Sequence, residues 1–288
     1  MIQKLGIHVS ISGGIHNSVS NAVNLGCTTF QIFSRSPRQW SAKDIGDSEV
    51  STFKEKLKQS GIDSSSVIVH MPYLPNLSAP ESEMYQKSIE TLADEIFRCN
   101  LLGIPYLVIH LGSHLGKGED HGKSQLINAC SKSLNNYEKR RFQKNKVKIL
   151  LENSAGQKNS IGSKIEQISE ILEKLEPQNY GICLDTCHLY ASGYDLSNES
   201  KSLELIDNID SVLGLRNLKL FHLNDSKGDL GSNLDRHYHI GLGKIGPTGF
   251  KTLINNKRLI HIPFIMETPI DSERGDAENM KYLKSLIN

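Results

Sequence analysis

Nine side chains in this sequence are of the type and spacing that hold metal ions: His70, His110, Glu152, Asp185, His188, His222, Asp235, His237 and Glu267. Six of them close an apolar run. Val67-Ile68-Val69 leads into His70, Leu107-Val108-Ile109 into His110, and Ile149-Leu150-Leu151 into Glu152. Ile182-Cys183-Leu184 leads into Asp185, Leu220-Phe221 into His222, and Ile265-Met266 into Glu267. One histidine in such a place is most simply a buried side chain satisfied by a hydrogen bond, and one Asp or Glu can cap the next helix. Six together need another account, because clustered carboxylates repel and lose solvation unless cations neutralise them. His188, one helical turn beyond Asp185, can face the same site. Asp235 and His237, two apart on an extended loop, point to the same side. Nine ligands exceed the four that one zinc takes, so two or three ions sharing carboxylates are expected. Imidazole and carboxylate without thiolate suit zinc, with manganese as the other choice. Cys187 lies inside one ligand pair but is read as a small buried residue. His8 is read as a supporting neighbour of the ligands.

Something must carry six chain segments to one place. Short apolar, β-branched runs alternate with helix-length segments, the pattern of βα units and a parallel sheet. The strands are expected at Leu5–Val9, Thr29–Phe33, Val67–His70, Tyr106–His110, Val147–Glu152, Gly181–Asp185, Leu218–His222 and Pro263–Glu267. Helices are expected near 14–25, 48–60, 82–102, 122–142, 163–175, 199–213, 247–256 and 272–287, with Gly26, Gly61, Gly103 and Gly214 where helices would stop. Eight such units predict an α/β fold, a (β/α)₈ TIM barrel, and a barrel of about 250 residues fits the length. Active sites of that fold form at the C-terminal ends of the strands, where the six ligands fall. With no Pro- or Ser-rich linker, residues 1–288 read as one catalytic domain. Asn224–Gly246 reads as a long irregular functional loop. Glu81, Glu83, Glu90, Asp94 and Glu95 read as a solvated helix face, and His16, His114, His121, His239 and His261 as surface or locally hydrogen-bonded residues.

Bulk properties exclude some classes and leave others open. Lys and Arg total 33 against 32 Asp and Glu, a net charge of +1. That balance announces no nucleic-acid partner but permits a local basic rim. Five cysteines without a Cys-x-x-Cys pair argue against a disulfide framework or a thiolate zinc knuckle. No apolar stretch approaches the ~20 residues of a membrane span, and the first residues lack the pattern of a signal peptide. A cytoplasmic, monomeric protein is expected.

The ordered motifs resemble the endonuclease IV family of apurinic/apyrimidinic endonucleases over nearly the whole chain. They are His8-Val9-Ser10 with Gly13-Gly14, Arg38-Gln39-Trp40, His70-Met71-Pro72-Tyr73-Leu74-Pro75-Asn76-Leu77 and His110-Leu111-Gly112-Ser113-His114. Glu152-Asn153 with Ala155-Gly156, and Leu184-Asp185-Thr186-Cys187-His188 with Gly193-Tyr194-Asp195, follow. The most specific stretch runs from His222-Leu223-Asn224-Asp225-Ser226-Lys227 through Asp235-Arg236-His237, closed by Glu267-Thr268-Pro269. The resemblance implies a (β/α)₈ barrel with three zinc ions. It also implies hydrolysis of duplex DNA on the 5′ side of abasic sites, leaving 3′-OH and 5′-deoxyribose phosphate ends. By matching position it assigns His70, His110 and Glu152 to a first zinc, and Glu152, Asp185, His222 and Glu267 to a second. His188, Asp235 and His237 fall to a third. Glu267 and Glu152 become the catalytic carboxylates, and Arg38, Tyr73 and Leu74 the residues that enter the DNA at the lesion. Ser154 stands where the family has Thr, and Leu242 where an acidic residue is common.

Phosphodiester hydrolysis suits several ions, which generate hydroxide, neutralise phosphate and stabilise the departing 3′ oxygen. Arg38, Lys227, Arg236 and Lys244 are candidates for phosphate contacts. A barrel sugar isomerase or epimerase would also place His, Asp and Glu at strand ends. It needs one or two ions, leaving the Asp235/His237 pair and Tyr73-Leu74 without a purpose. A DNA-binding protein without catalysis would need no open metal positions.

Overall fold

A computed structural model describes residues 3–141 and 145–288. Eight parallel strands form one sheet: β1 (Leu5–Ile7), β2 (Gln31–Phe33), β3 (Ile68–His70), β4 (Tyr106–His110), β5 (Lys148–Glu152), β6 (Tyr180–Asp185), β7 (Leu218–His222) and, after a hairpin of β8 (Asp225–Ser226) and β9 (His237–Tyr238), β10 (Phe264–Met266). Sequence neighbours pair from β2 to β7, β10 pairs with β7, and β1 pairs with β10. The seam between β1 and β2 is drawn together by a parallel bridge of His8 with Gln31, where Val9 N–H donates to the Gln31 carbonyl at 2.8 Å. The result is a nearly closed (β/α)₈ barrel.

Strand side chains alternate between the two faces of the sheet, and here that alternation has a direct consequence. The barrel is plugged by six fully buried residues, Ile68, Val108, Leu150, Cys183, Leu220 and Ile265. Two positions further along each strand, on the same inward face, stand His70, His110, Glu152, Asp185, His222 and Glu267. The opposite phase, including Val69, Leu107, Ile149, Leu184, Phe221 and Phe264, packs outward in the larger core cluster, with the helices. The polar residues therefore rise above a dry plug at the C-terminal mouth.

The helices are α1 (Asn17–Asn24), α2 (Asp47–Ser60), α3 (Glu83–Leu102), α4 (Glu119–Arg141), α5 (Ile165–Leu172), α6 (Thr186–Ala191), α7 (Glu199–Val212), α8 (Gly246–Asn255) and α9 (Asp276–Ser285). Apart from α6 they match the expected segments with ends moved by a few residues; position 142, expected as the end of the fourth, lies outside the described residues. Gly61 and Gly103 end α2 and α3 in the left-handed conformation, at φ 74° in each case, which L side chains disfavour. None of the described helices is long and apolar enough to cross a membrane.

Three expectations need correction. Asn224–Gly246 is not wholly irregular: it contains the β8–β9 hairpin. The buried Asp225 carboxylate organises this loop by accepting N–H bonds from Gly241, Gly243 and Ile245 at 2.9 to 3.0 Å, and a Cβ on Gly243 would collide with it. The short α6, unanticipated, starts where the Asp185 side chain accepts the His188 N–H at 2.8 Å. Glu95 does not belong to a solvated face. It is fully buried, accepting from Arg35 Nε at 2.5 Å and from Ser34 Oγ at 2.7 Å, and Asp94 pairs with the same guanidinium. Arg98, also buried, donates to Ser34 Oγ and to the Lys43 carbonyl. This network ties the loop after β2, which carries Arg38, to α3. Among the five histidines read as surface or locally bonded, His239 is buried and bonded to Asp271 at 2.9 Å and Asn279 at 3.0 Å.

Candidate functional site

Seven of the nine candidate ligands line a cavity of about 360 Å³ at the mouth, with His8, Tyr73 and Thr268; the fully buried Asp185 and His222 lie behind it, Asp185 3.5 Å from His237 and His222 2.9 Å from Glu152. Glu152 is at its centre. Its Oε2 lies 3.1 Å from His70 Nε2 and 3.3 Å from His110 Nε2. Its Oε1 lies 2.9 Å from His222 Nδ1. The two oxygens thus face two different ligand groups, the arrangement a bridging carboxylate needs. Potential ligand atoms of His70, His110 and Glu152 lie within 4.8 Å of one another, as do those of Glu152, Asp185, His222 and Glu267. A further group joins Asp185, His188 and His237, and Asp235 Oδ1 lies 3.2 Å from His188 Nε2 and 3.5 Å from His237 Nε2.

Neighbouring groups set the orientation of the imidazoles. His70 Nδ1–H donates to the Met71 carbonyl at 2.7 Å, which leaves Nε2 to face Glu152. His188 Nδ1–H donates to the Asn153 carbonyl at 2.9 Å and aims Nε2 at Asp235. Such partners fix the tautomer of metal-binding histidines. Asp185 serves two purposes. Oδ1 caps α6, while Oδ2 accepts from Asn224 Nδ2 at 2.6 Å and lies 3.5 Å from His237 Nε2. The capping role and the site role are therefore both filled by one carboxylate.

The donor set fits divalent cations on two observations. His188 Nε2 and His237 Nε2 are buried with carboxylate oxygens 3.2 to 3.5 Å away, yet neither makes a hydrogen bond of proper geometry, and a buried nitrogen left so is costly unless a cation takes the position between. Second, the charges are strongly perturbed. Burial works against a charge on His188, yet the Asp185 and Asp235 carboxylates outweigh it and raise the imidazole to about 10. Burial would likewise raise Asp235, but His188 and His237 hold it down to about 2. Glu152 stays well below the usual carboxylate range because His222 and His110 outweigh its burial. Glu267 does so through His222 and His8. The carboxylates demand positive charge at this place, and divalent ions bound by deprotonated imidazoles meet that demand.

Sequence reasoning missed some of the residues gathered here. Gln31 is fully buried on β2, with Nε2 2.6 Å from Glu267 Oε1 and Oε1 2.8 Å from His222 Nε2. A polar residue two positions before Phe33 in an otherwise apolar strand was the available signal. Asn224 Oδ1 accepts the Glu267 N–H at 2.8 Å, and Asn153 Oδ1 accepts the Asp185 N–H at 2.6 Å. His8 takes the supporting position expected of it, 2.9 Å from Gln31 Nε2 and 3.4 Å from Glu267 Oε1. Cys187 lies within 4.8 Å of ligand atoms of Asp235 and His237, but burial pushes its thiol far up, which disfavours a thiolate. Cys183 lies equally near Glu152 and His222, and burial raises its thiol to about 12.

At the rim, Tyr73 is 56% exposed and Leu74 39%. The Tyr73 ring lies nearly parallel to that of His110, centroids 6.2 Å apart. Its N–H donates to the Pro37 carbonyl at 3.2 Å, joining its loop to the one that carries the exposed Arg38. A second cleft of about 340 Å³ runs from Tyr73 and Leu74 to Lys158. Lys227 lies over the Tyr238 ring at 4.4 Å, Lys244 pairs with Asp229 at 3.2 Å, and Arg236 is exposed. Of the departures from the family pattern, Leu242 is 44% exposed and Ser154 Oγ bonds Ser160 Oγ at 3.2 Å.

Residues 19–286 match the family described as xylose isomerase-like TIM barrel. The chain is 51% identical over 284 residues to a protein named probable endonuclease 4 from Cenarchaeum symbiosum (strain A), covering 98% of this chain and 99% of that one. A protein of the same name from Nitrosopumilus maritimus (strain SCM1) is 51% identical over 282 residues, with 98% and 99% covered. Among solved structures, endonuclease IV from Thermus thermophilus superposes with a TM-score of 0.86 at 34% identity over 98% of each chain. Identity this high over the full length identifies a family and not only a fold: the chain belongs to the endonuclease IV family of xylose isomerase-like TIM barrels.

Proposed function

We propose that this protein is a zinc-dependent DNA-repair endonuclease. It hydrolyses the phosphodiester 5′ of abasic sites in duplex DNA, leaving a 3′-OH and a 5′-deoxyribose phosphate, and acts as a monomer through a single catalytic domain. The observation that carries this reading is the central position of Glu152, whose two oxygens face two adjoining ligand groups beneath an exposed Tyr73 and Leu74. His70, His110 and Glu152 would hold one ion; Glu152, Asp185, His222 and Glu267 a second; His188, Asp235 and His237 a third. Bound there, zinc supplies a water acidified toward neutrality and positive charge for the phosphate and the leaving oxygen.

The chain's own groups do the rest. Glu267 Oε1 is engaged by Gln31, so Oε2, facing His222 at 3.4 Å, is the atom that orients the attacking water and accepts its proton. Attack on phosphorus breaks the bond to the 3′ oxygen, which leaves and takes up a proton. Arg38, Tyr73 and Leu74 enter the duplex at the lesion. An abasic nucleotide has no base to unstack, so turning it out costs up to a few kcal/mol less than for a normal one. Shape and deformability, not sequence, select the site. The test is cleavage of a duplex with one abasic analogue, followed by identification of the two ends. A chain that loads zinc yet leaves this duplex intact would overturn the reading.

A further inference from the structure

We infer that Gln31 is a positioning residue that decides which atoms of His222 and Glu267 face the metal ligands around them. The inference rests on the metal-dependent reading above. A primary amide is a neutral side chain that offers an acceptor and two donors at once, and all three are used. The Gln31 oxygen lies 2.8 Å from His222 Nε2, so that nitrogen carries the proton and donates it. The His222 lone pair is thereby left on Nδ1, the atom 2.9 Å from Glu152 and 3.4 Å from Glu267. One Gln31 N–H donates to Glu267 Oε1 at 2.6 Å, which turns Oε2 toward His222. The other lies 2.9 Å from His8 Nδ1, an acceptor when His8 carries its proton on Nε2. Turning the amide over would set its oxygen against the Glu267 carboxylate, so the network permits one orientation.

Packing alone gives no reason for an amide here. Gln31 is fully buried, in register with the plug residue Ile68. At such a depth an apolar side chain costs nothing in lost hydration, whereas an amide does unless every bond is made. Every bond it makes is to a candidate ligand or to His8, which leans on one. Its place on the β1–β2 seam also lets it join ligands from β7 and β10 across the barrel.

The experiment uses the full-length zinc-loaded protein and the variants Gln31→Met, which keeps the size and removes the bonds, and Gln31→Glu, which keeps an acceptor for His222 but opposes Glu267. Zinc is counted by elemental analysis, and its transfer to a chromogenic chelator is timed. Removing a partner that orients metal ligands costs about 10–100-fold in metal affinity or activity. We expect Gln31→Met to release zinc at least roughly tenfold faster. Its kcat on abasic duplex should fall by a similar factor with KM unchanged, because Gln31 does not reach the DNA-facing rim. Gln31→Glu should lie between the two, and imidazole ¹⁵N spectra should retain the His222 Nε2–H signal in it alone of the variants. Both chelated variants should still melt cooperatively with wild-type far-UV circular dichroism, which separates orientation of ligands from loss of the fold. Should Gln31→Met fail to fold, Gln31→Glu carries the comparison. Wild-type zinc release and kcat in the folded variants would overturn the inference. A wild-type protein that loads no zinc would instead overturn the metal-dependent reading on which it rests.

Discussion

Replacing Glu267 with Gln separates chemistry from assembly, and the surroundings of Glu267 set the size of the effect. The carboxylate accepts from Gln31 through Oε1, while Oε2 is turned to His222. A Gln amide has a single oxygen for these two directions. If it faces Gln31, the amide nitrogen faces His222 and cannot serve as ligand or base. If it faces the site, two NH₂ groups oppose each other in a buried setting, at about 1–3 kcal/mol for an unsatisfied donor. In either orientation the charge and the basicity are gone. Loss of a general base slows a reaction about 10²–10⁴-fold, or roughly 3–5 kcal/mol of barrier at about 1.4 kcal/mol per factor of ten. Glu152, Asp185 and His222 remain to hold the second ion, and the rim is untouched. Zinc content and abasic-duplex affinity should therefore stay near wild type. Single-turnover cleavage, affinity and zinc are measured on one preparation. Near-normal cleavage with zinc retained would remove Glu267 from the reaction path. Loss of one zinc with activity restored by added zinc would leave it a ligand and nothing more.

The purified protein should contain more than one zinc per chain, close to three, and should release it as pH falls from 8 to 5, because histidine ligands must be deprotonated; elemental analysis giving one ion or none at full loading would refute the cluster. The double replacement Tyr73→Ala, Leu74→Ala should cost about 1–3 kcal/mol of abasic-duplex binding, as loss of a stacking platform does. Binding to undamaged duplex should change far less, with zinc content constant; equal losses on both duplexes would make Tyr73 and Leu74 ordinary loop residues. Glu95→Leu removes the buried carboxylate that accepts from Arg35 Nε and Ser34 Oγ and leaves Arg35 only the half-exposed Asp94, so it should cost about 3–5 kcal/mol of stability. A denaturant titration showing no change would mean that the network holds nothing.

The contrast between Glu152 and Glu95 shows what could be read from the chain and what could not. Glu152 was legible because a strand imposes a period of two: once Leu150 is known to plug the barrel, position 152 must point inward. The same inference places His70, His110, Asp185, His222 and Glu267 from residues no more than two positions away. Glu95 lies in a run of acids on α3 that reads as solvated by helical spacing alone. Its burial is decided some sixty residues away, where the loop after β2 folds over α3 and brings in Arg35 and Ser34. No local period carries that information. The β8–β9 hairpin escaped for a related reason. Two residues on each side are too few to alternate, and the loop is organised by Asp225 accepting N–H bonds from residues 16 to 20 positions ahead. Gln31 sits between these cases. Its inward direction follows from the strand, but its partners, His222 and Glu267, lie across the closed barrel and more than 190 positions along the chain. Local periodicity thus locates the candidate ligands, while the groups that orient them depend on closure of the barrel. Mutations at such supporting positions should accordingly alter metal retention and rate before they alter the fold.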